Sequence, residues 1–239
     1  MIQNAVGVLG GLGPAATVQF MQRVLDLTVA DSDQGHINMI VWNHATTPDR
    51  TAFLTGASDD DPLPSMIADA RSLERAGARF IVMPCNTAGY FHEQLAESVD
   101  IPFVDILSET IELAQRKVPG LRLVGLLATN GTIQTGGYAR VAADHGLELI
   151  IPEDDMQAEV MDMIYSGVKA GVPVERGRVS AAINHLRNRG AQAVVLGCTE
   201  MSVLGLEMGL VNEPDIADSL DALARETVLR AGKTLRDAQ

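Results

Sequence analysis

Short runs of β-branched and aliphatic residues, closed by Gly, Pro or Asn and followed by amphipathic stretches, recur along the whole chain. Runs that are apolar throughout, rather than alternating, belong to strands covered on both faces. Their alternation with helices is the signature of βα units around a parallel sheet. The pattern predicts strands at Ala5 to Leu9, Asn38 to Trp42, Phe80 to Met83, Phe103 to Asp105, Leu123 to Leu127, Leu147 to Ile150 and Ala193 to Leu196. Helical periodicity covers Ala15 to Leu27, Leu63 to Ala76, Glu93 to Glu97, Glu109 to Lys117, Gly137 to Asp144, Gln157 to Ala170, Val179 to Arg189 and Ile216 to Ala231. The segment Gly56 to Pro64, with Asp59, Asp60 and Asp61, reads as a solvated loop.

The same pattern occurs twice. GARFIVMPC, from Gly77 to Cys85, aligns without a gap on GAQAVVLGC, from Gly190 to Cys198, an offset of 113 residues. VGVLGGLGP, from Val6 to Pro14, lies over VGLLATNGT, from Val124 to Thr132, an offset of 118. Buried strands resemble one another, but two nearly equal offsets at separate places point to a duplicated unit. The expected fold is therefore α/β with two pseudo-symmetric Rossmann-like domains, each a parallel-type sheet flanked by helices. The first covers residues 1–118 plus about 213–239, with the helix after Pro214 returning to it, and the second covers 119–212, the boundary falling near Pro119-Gly120. Ligands of such sheets bind beyond the carboxyl ends of the strands, so the active site is expected in the inter-domain cleft.

Composition narrows the function. With 46% hydrophobic residues the chain has material for a sizeable core, and 31 acidic against 18 basic side chains give a net charge of −13. That charge repels phosphate backbones and anionic lipid, so neither nucleic acid nor a membrane surface is an expected partner. No apolar run approaches the roughly 20 residues of a membrane span, and the N-terminus lacks a signal-type pattern. The expected location is the cytoplasm, where thiols stay reduced, and the two cysteines then read as chemistry rather than as a disulfide.

A lone cysteine is usually a small buried hydrophobe. Here each one follows an apolar strand, stands beside polar residues (Asn86 and Thr87, or Thr199 and Glu200), and can precede a helix. A helix N-terminus lowers a thiol pKa, so a thiolate is expected at neutral pH. Two sulfurs on opposite sides of one carbon, about 7 Å apart at twice the near-attack distance, suit inversion there: one removes a proton and the other delivers one. Charge developing on the substrate carboxylate needs donors, and Asn86, Thr87, Thr199 and the turn Thr129 to Thr132 supply candidates. Helix capping is the ordinary role of the same residues. Of the five histidines none occupies a repeat-related position, and His92, seven residues beyond Cys85, reads as a surface helix residue.

GGLGPAAT near the N-terminus, PDRT at Pro48 to Thr51, PCNTA at Pro84 to Ala88, GLLATNGT at Gly125 to Thr132 and LGCTE at Leu196 to Glu200 resemble the aspartate/glutamate racemase family over nearly the whole chain. The resemblance implies two similar α/β domains, an amino-acid substrate, a thiol/thiolate pair acting without pyridoxal phosphate or metal, and a homodimer. Residue by residue it makes Cys85 and Cys198 the acid/base pair, with Asn86, Thr87 and Thr199 around the reacting carboxylate, beside Thr129 and Thr132 as substrate-binding candidates from the turn itself. Arg50 and Lys169 become the ligands of an acidic side chain; on composition alone both read as surface ion pairs. Two departures stand out: Gly89 where many relatives have His, and Met201-Ser202 where they have Leu-Pro.

Other readings remain. GLGPAA at Gly11 to Ala16, with Asp31 and Asp33 about 20 residues on, satisfies the dinucleotide pattern of a nicotinamide enzyme, although a tight turn with Pro14 opening a helix explains it equally. Related folds isomerise or decarboxylate diacids with one or two cysteines, and a fold does not fix a reaction. A non-catalytic amino-acid sensor would keep the cleft without needing both thiols.

Overall fold

Every strand pairs parallel to its neighbours. The computed structural model describes residues 4–236. In chain order it runs β1 (Ala5–Gly10), α1 (Pro14–Leu27), β2 (Met39–Asn43), α2 (Arg50–Leu54), α3 (Leu63–Arg75), β3 (Ala78–Val82), α4 (His92–Glu97), α5 (Ile106–Lys117) and β4 (Leu123–Leu127). It continues through α6 (Asn130–Gln134), α7 (Gly137–Asp144), β5 (Glu148–Ile150), α8 (Asp154–Asp162), α9 (Arg176–Asn188), β6 (Ala193–Leu196), α10 (Thr199–Glu207), β7 (Ile216–Asp218) and α11 (Ser219–Arg230). Two compact units result, one formed by the residues up to Ile106 and from Leu220 onward, the other by Leu107–Ser219.

The first unit has the order β2-β1-β3, and Phe103 adds a single parallel bridge to Ile81 on the far side of β3. All six residues of β1 are buried, as expected of a central strand covered on both faces. Leu9, Met66, Leu73, Ile81, Phe91 and Leu95 anchor the core between sheet and helices. The second unit has the order β5-β4-β6-β7. Its core joins Leu127, Val160, Ile164, Val179, Ile183, Leu186 and Leu196.

These orders are the same, with Phe103 standing where the second unit has β7. The packing repeats too. A Cβ on Gly7 of β1 would come within 2.9 Å of Ala78 and 3.3 Å of Leu73, and one on Gly125 of β4 within 3.1 Å of Ala191 and 2.9 Å of Leu186. Ala191 and Leu186 are the counterparts of Ala78 and Leu73 at the 113-residue offset. The turns into β3 and β6 share a left-handed glycine, Gly77 at φ 99° and Gly190 at φ 97°.

Several elements differ from the sequence pattern. The strand expected at Phe103 to Asp105 is reduced to the one bridge, and His92, read as a surface residue, is half-buried: its Nε2 lies 3.1 Å from the Phe103 carbonyl and its ring meets Phe103 edge-on. The helix expected from Ile216 begins at Ser219, because Ile216–Asp218 is buried and pairs with β6 instead. The helix expected over Gln157 to Ala170 ends as α8 at Asp162 and continues as a wide π-type turn, Met163–Gly167, and a tight turn, Val168–Ala170. Gly167 leaves helical geometry there, with Val174 filling the space where a side chain would stand. The units divide at Ile106/Leu107 and Ser219/Leu220 rather than near 118 and 213. Helix α5 goes with the second unit because the Lys117 ammonium donates to the carbonyls of Val211, Glu213 and Ile216 at 2.7, 3.1 and 2.7 Å. No helix among the described residues is long and apolar enough to cross a membrane.

Helix α11 completes the first unit. Its Asp221, 1% exposed, accepts from Arg23 of α1 at 2.6 Å and from Arg225 at 2.7 Å. Removing one partner from a buried ion pair leaves the other charge uncompensated. Asp221→Ala is expected to lower the unfolding free energy by about 3–5 kcal/mol, read from denaturant or thermal unfolding.

Candidate active site

In each unit most of the candidate chemistry stands in segments that follow the carboxyl ends of strands. After β1 the chain turns at Gly11, whose φ of +88° and closeness to the His44 backbone exclude a side chain, a hypothetical Cβ lying 2.4 Å from the His44 carbonyl carbon. The Gly11 amide donates to Thr17 Oγ1 at 2.9 Å, and Pro14 opens α1. The glycine turn is thus accounted for by strand-to-helix packing. Asp31 and Asp33 precede β2, whereas the ribose-binding acid of a dinucleotide site follows the second strand. Beyond β2 comes His44, paired through Nδ1 with the buried Asp69 at 2.7 Å.

Arg50 opens α2, which Asp49 caps by accepting from the Ala52 amide at 2.7 Å. The guanidinium turns inward and is 7% exposed. Nη1 donates to the carbonyls of Pro48 at 2.9 Å and Thr47 at 3.3 Å, and Nη2 to that of Leu12 at 2.5 Å. Arg50 therefore ties the loop after β1 to the loop after β2, and its Nε is buried with no hydrogen-bond partner. After β3 the backbone tightens, with the Cys85 amide donating to Met83 at 2.8 Å, and Cys85, Asn86 and Thr87 are all buried. Gly89 is buried in the tight turn Thr87–Phe91, and its amide donates to Asn86 at 2.9 Å.

In the second unit Thr129 caps α6, accepting from the Thr132 amide at 3.2 Å, and the two hydroxyls lie 3.0 Å apart. The capping role of this pair is thus realised. After β6, Gly197 passes too close to Leu126 and Tyr138 for any side chain. Cys198 then occupies the cap position of α10. Its Sγ donates to Glu200 Oε2 at 3.0 Å, and Glu200 Oε1 is ion-paired with Lys169 Nζ at 2.9 Å. The Thr199 hydroxyl also lies 3.4 Å from Glu200 Oε2, and the Lys169 ammonium sits 5.4 Å from the Tyr165 ring centroid.

This corrects the expectation of a lowered thiol pKa at Cys198. Burial pushes its pKa well above the ordinary thiol value, and the neighbouring Glu200 charge and hydrogen bond push it further, outweighing the attraction of Lys169. For Glu200 the balance runs the other way. Burial raises its pKa, but the Lys169 charge and the bonds from Cys198 and Lys169 hold it below the usual carboxylate value. Cys198 rests as a thiol against a carboxylate.

Arg50 follows β2 and Cys85, Asn86 and Thr87 follow β3 in the first unit; in the second, Thr129 and Thr132 follow β4, Cys198 and Thr199 follow β6, and Lys169, beyond α8, is joined to the latter segment by its ion pair with Glu200. Glu200 was visible only as part of a motif. Its signal is divergence between the repeats, since its counterpart two residues beyond the first cysteine is Thr87.

Residues 9–227 match the Asp/Glu/Hydantoin racemase family. The chain belongs to that family. It is 28% identical to the broad specificity amino-acid racemase RacX of Bacillus subtilis (strain 168) over 228 residues, covering 93% of this chain and 96% of the relative. The structure of Picrophilus torridus aspartate racemase superposes with a TM-score of 0.82 at 30% identity, covering 97% of this chain and 96% of that one. A glutamate racemase of Francisella tularensis subsp. tularensis SCHU S4, solved with D-glutamate, shares the fold at a TM-score of 0.65 and 18% identity, covering 98% and 84%. The racemase fold thus spans both units.

Arg50 holds two loops through a planar fork that a lysine cannot reproduce. Arg50→Lys is expected to keep the charge yet lose about 1–3 kcal/mol of stability, measured as a shift in the thermal unfolding midpoint.

Proposed function

We propose that this chain racemises an acidic amino acid, aspartate or glutamate, by transferring the α-proton between two thiols, one from each unit. The observation that carries the reading is the duplicated placement of a buried cysteine just beyond the corresponding strand of each sheet, Cys85 after β3 and Cys198 after β6. Similarity to an aspartate racemase at 30% identity over 97% of the chain supports the reaction class. In one direction the thiolate of one cysteine accepts the α-proton, forming an S–H bond as the Cα–H bond breaks. The electron pair moves into the carboxylate as an enediolate, and the other thiol returns a proton to the opposite face. The reverse direction exchanges the roles.

The enediolate needs donors already aimed at it, and Asn86, Thr87, Thr129, Thr132 and Thr199 are the candidates. Arg50 and Lys169 suit the distal carboxylate of a diacid. The unpartnered Nε of a buried Arg50 supports this, since an unmade hydrogen bond at a buried cation is expensive unless a ligand completes it. No step calls on a metal or an organic cofactor. The chain is further proposed to act in the cytoplasm as a homodimer.

Incubation with L-amino acids in D2O, followed by chiral separation and mass detection, tests the reading. Aspartate or glutamate is expected to yield the opposite enantiomer carrying α-deuterium. Absence of exchange with every amino acid would sink it and move the search to isomerisation or decarboxylation of diacids.

A further inference from the structure

The two halves of the duplicated site differ two residues beyond each cysteine. The first unit has Thr87, an uncharged hydroxyl, and the second has Glu200, 7% exposed and in contact with Cys198 Sγ at 3.0 Å. The two Glu200 oxygens are divided between partners: Oε2 receives the thiol proton and Oε1 meets Lys169 at 2.9 Å. A thiol, a carboxylate and an ammonium thus form one hydrogen-bonded line inside a single unit. The charged groups acting on Cys198 are Glu200 and Lys169. Tyr165 lies against Lys169, and Asp218 of β7 packs near Gly205, more than a turn further along α10.

We propose that Glu200 is the positioning residue and proton acceptor of Cys198, and that Lys169 sets how readily it acts. The inference rests on the racemase reading for its role in turnover, but the line of contacts exists independently of it. The step is a proton transfer without change of oxidation state. The S–H bond of Cys198 breaks, an O–H bond forms at Glu200 Oε2, and the thiolate left behind is the base that accepts the substrate's α-proton. Because the proton moves from thiol to carboxylate, the pair keeps a single negative charge throughout, which suits a site where a second buried anion would be costly. The resting direction of both pKa shifts is that of a thiol held neutral beside a carboxylate held charged, with Lys169 opposing the rise at Cys198 and reinforcing the fall at Glu200.

Lys169 consequently has a second role besides that of carboxylate ligand. Its charge stabilises anionic Glu200 and, through space, the Cys198 thiolate. Neutralising either residue should move the thiol in opposite directions, whereas loss of a purely structural contact would not.

The experiment is the pH dependence of iodoacetamide alkylation, followed separately on the Cys198 and Cys85 peptides by mass spectrometry. Glu200→Gln is expected to shift the Cys198 midpoint to lower pH by about one unit, a tenfold gain in thiolate below the midpoint. Lys169→Met, at a side chain 28% exposed, is expected to shift it to higher pH. The Cys85 midpoint should not move in either variant. In turnover Glu200→Gln should lower kcat by about 10²-fold with little change in KM, and Glu200→Asp should restore part of it. An unmoved Cys198 midpoint in both variants, or equal movement of both cysteines, would overturn the proposal. Opposite shifts confined to Cys198, in a protein that exchanges no amino-acid α-proton in D2O, would uphold the line of contacts and reject the racemase reading alone.

Discussion

Parallel strand pairing is the constraint on which the rest of the molecule depends. In each unit every strand runs in one direction, so all the loops that follow strands emerge at one edge of the sheet. The first residues beyond neighbouring strands are brought together without being adjacent in sequence. Leu12 after β1 meets Arg50 after β2, and Cys85 follows β3 on the other side of β1. The second unit repeats the arrangement with Thr129 after β4 and Cys198 after β6. The glycines of the central strands serve the same end, because Gly7 and Gly125 let Ala78 and Ala191, where β3 and β6 begin, press against the sheet.

How much of this could be read in the sequence follows from which forces are local. Leu123–Leu127 and Ala193–Leu196 have the predicted bounds because a run of buried aliphatic residues between polar breaks encodes its own length. Gly77 and Gly190 were legible as the start of a repeat because left-handed backbone selects glycine. Three-residue β7 was not, since Ile216 to Asp218 reads equally as the start of a helix and only pairing with β6 decides. The break after Asp162 was hidden for a similar reason: the residue that distinguishes it, Val174, lies in a later segment. Among the site residues, the cysteines announced themselves by repetition, and Arg50 and Lys169 only by family motif. Nothing in local composition says that Arg50 turns inward to carbonyls or that Lys169 meets Glu200.

The thiol at Cys198 shows why position at a helix start is a weaker guide than burial. A helix end offers a fraction of a charge at some distance, while a carboxylate in contact offers a whole one. With Cys198 4% exposed, burial sets the resting protonation state, and the Glu200 carboxylate against it adds in the same direction. Lys169 keeps that carboxylate ionised despite its burial, so three residues from two segments of the second unit settle one proton.

A racemase built on such unequal halves meets a thermodynamic restriction. Enantiomers have equal free energies in an achiral solvent, so kcat/KM must be the same in both directions whatever the thiols' environments. Any inequality between a cysteine backed by Glu200 and one followed by Thr87 is confined to how kcat and KM are divided, and to which protonation form of the free enzyme predominates. On the proposed two-thiol reading, a duplicated fold can therefore diverge at one of its two bases without biasing the equilibrium it catalyses. On that reading, the divergence bears on the protonation state of the free enzyme. Glu200, in contact with Cys198, stands where that state is set.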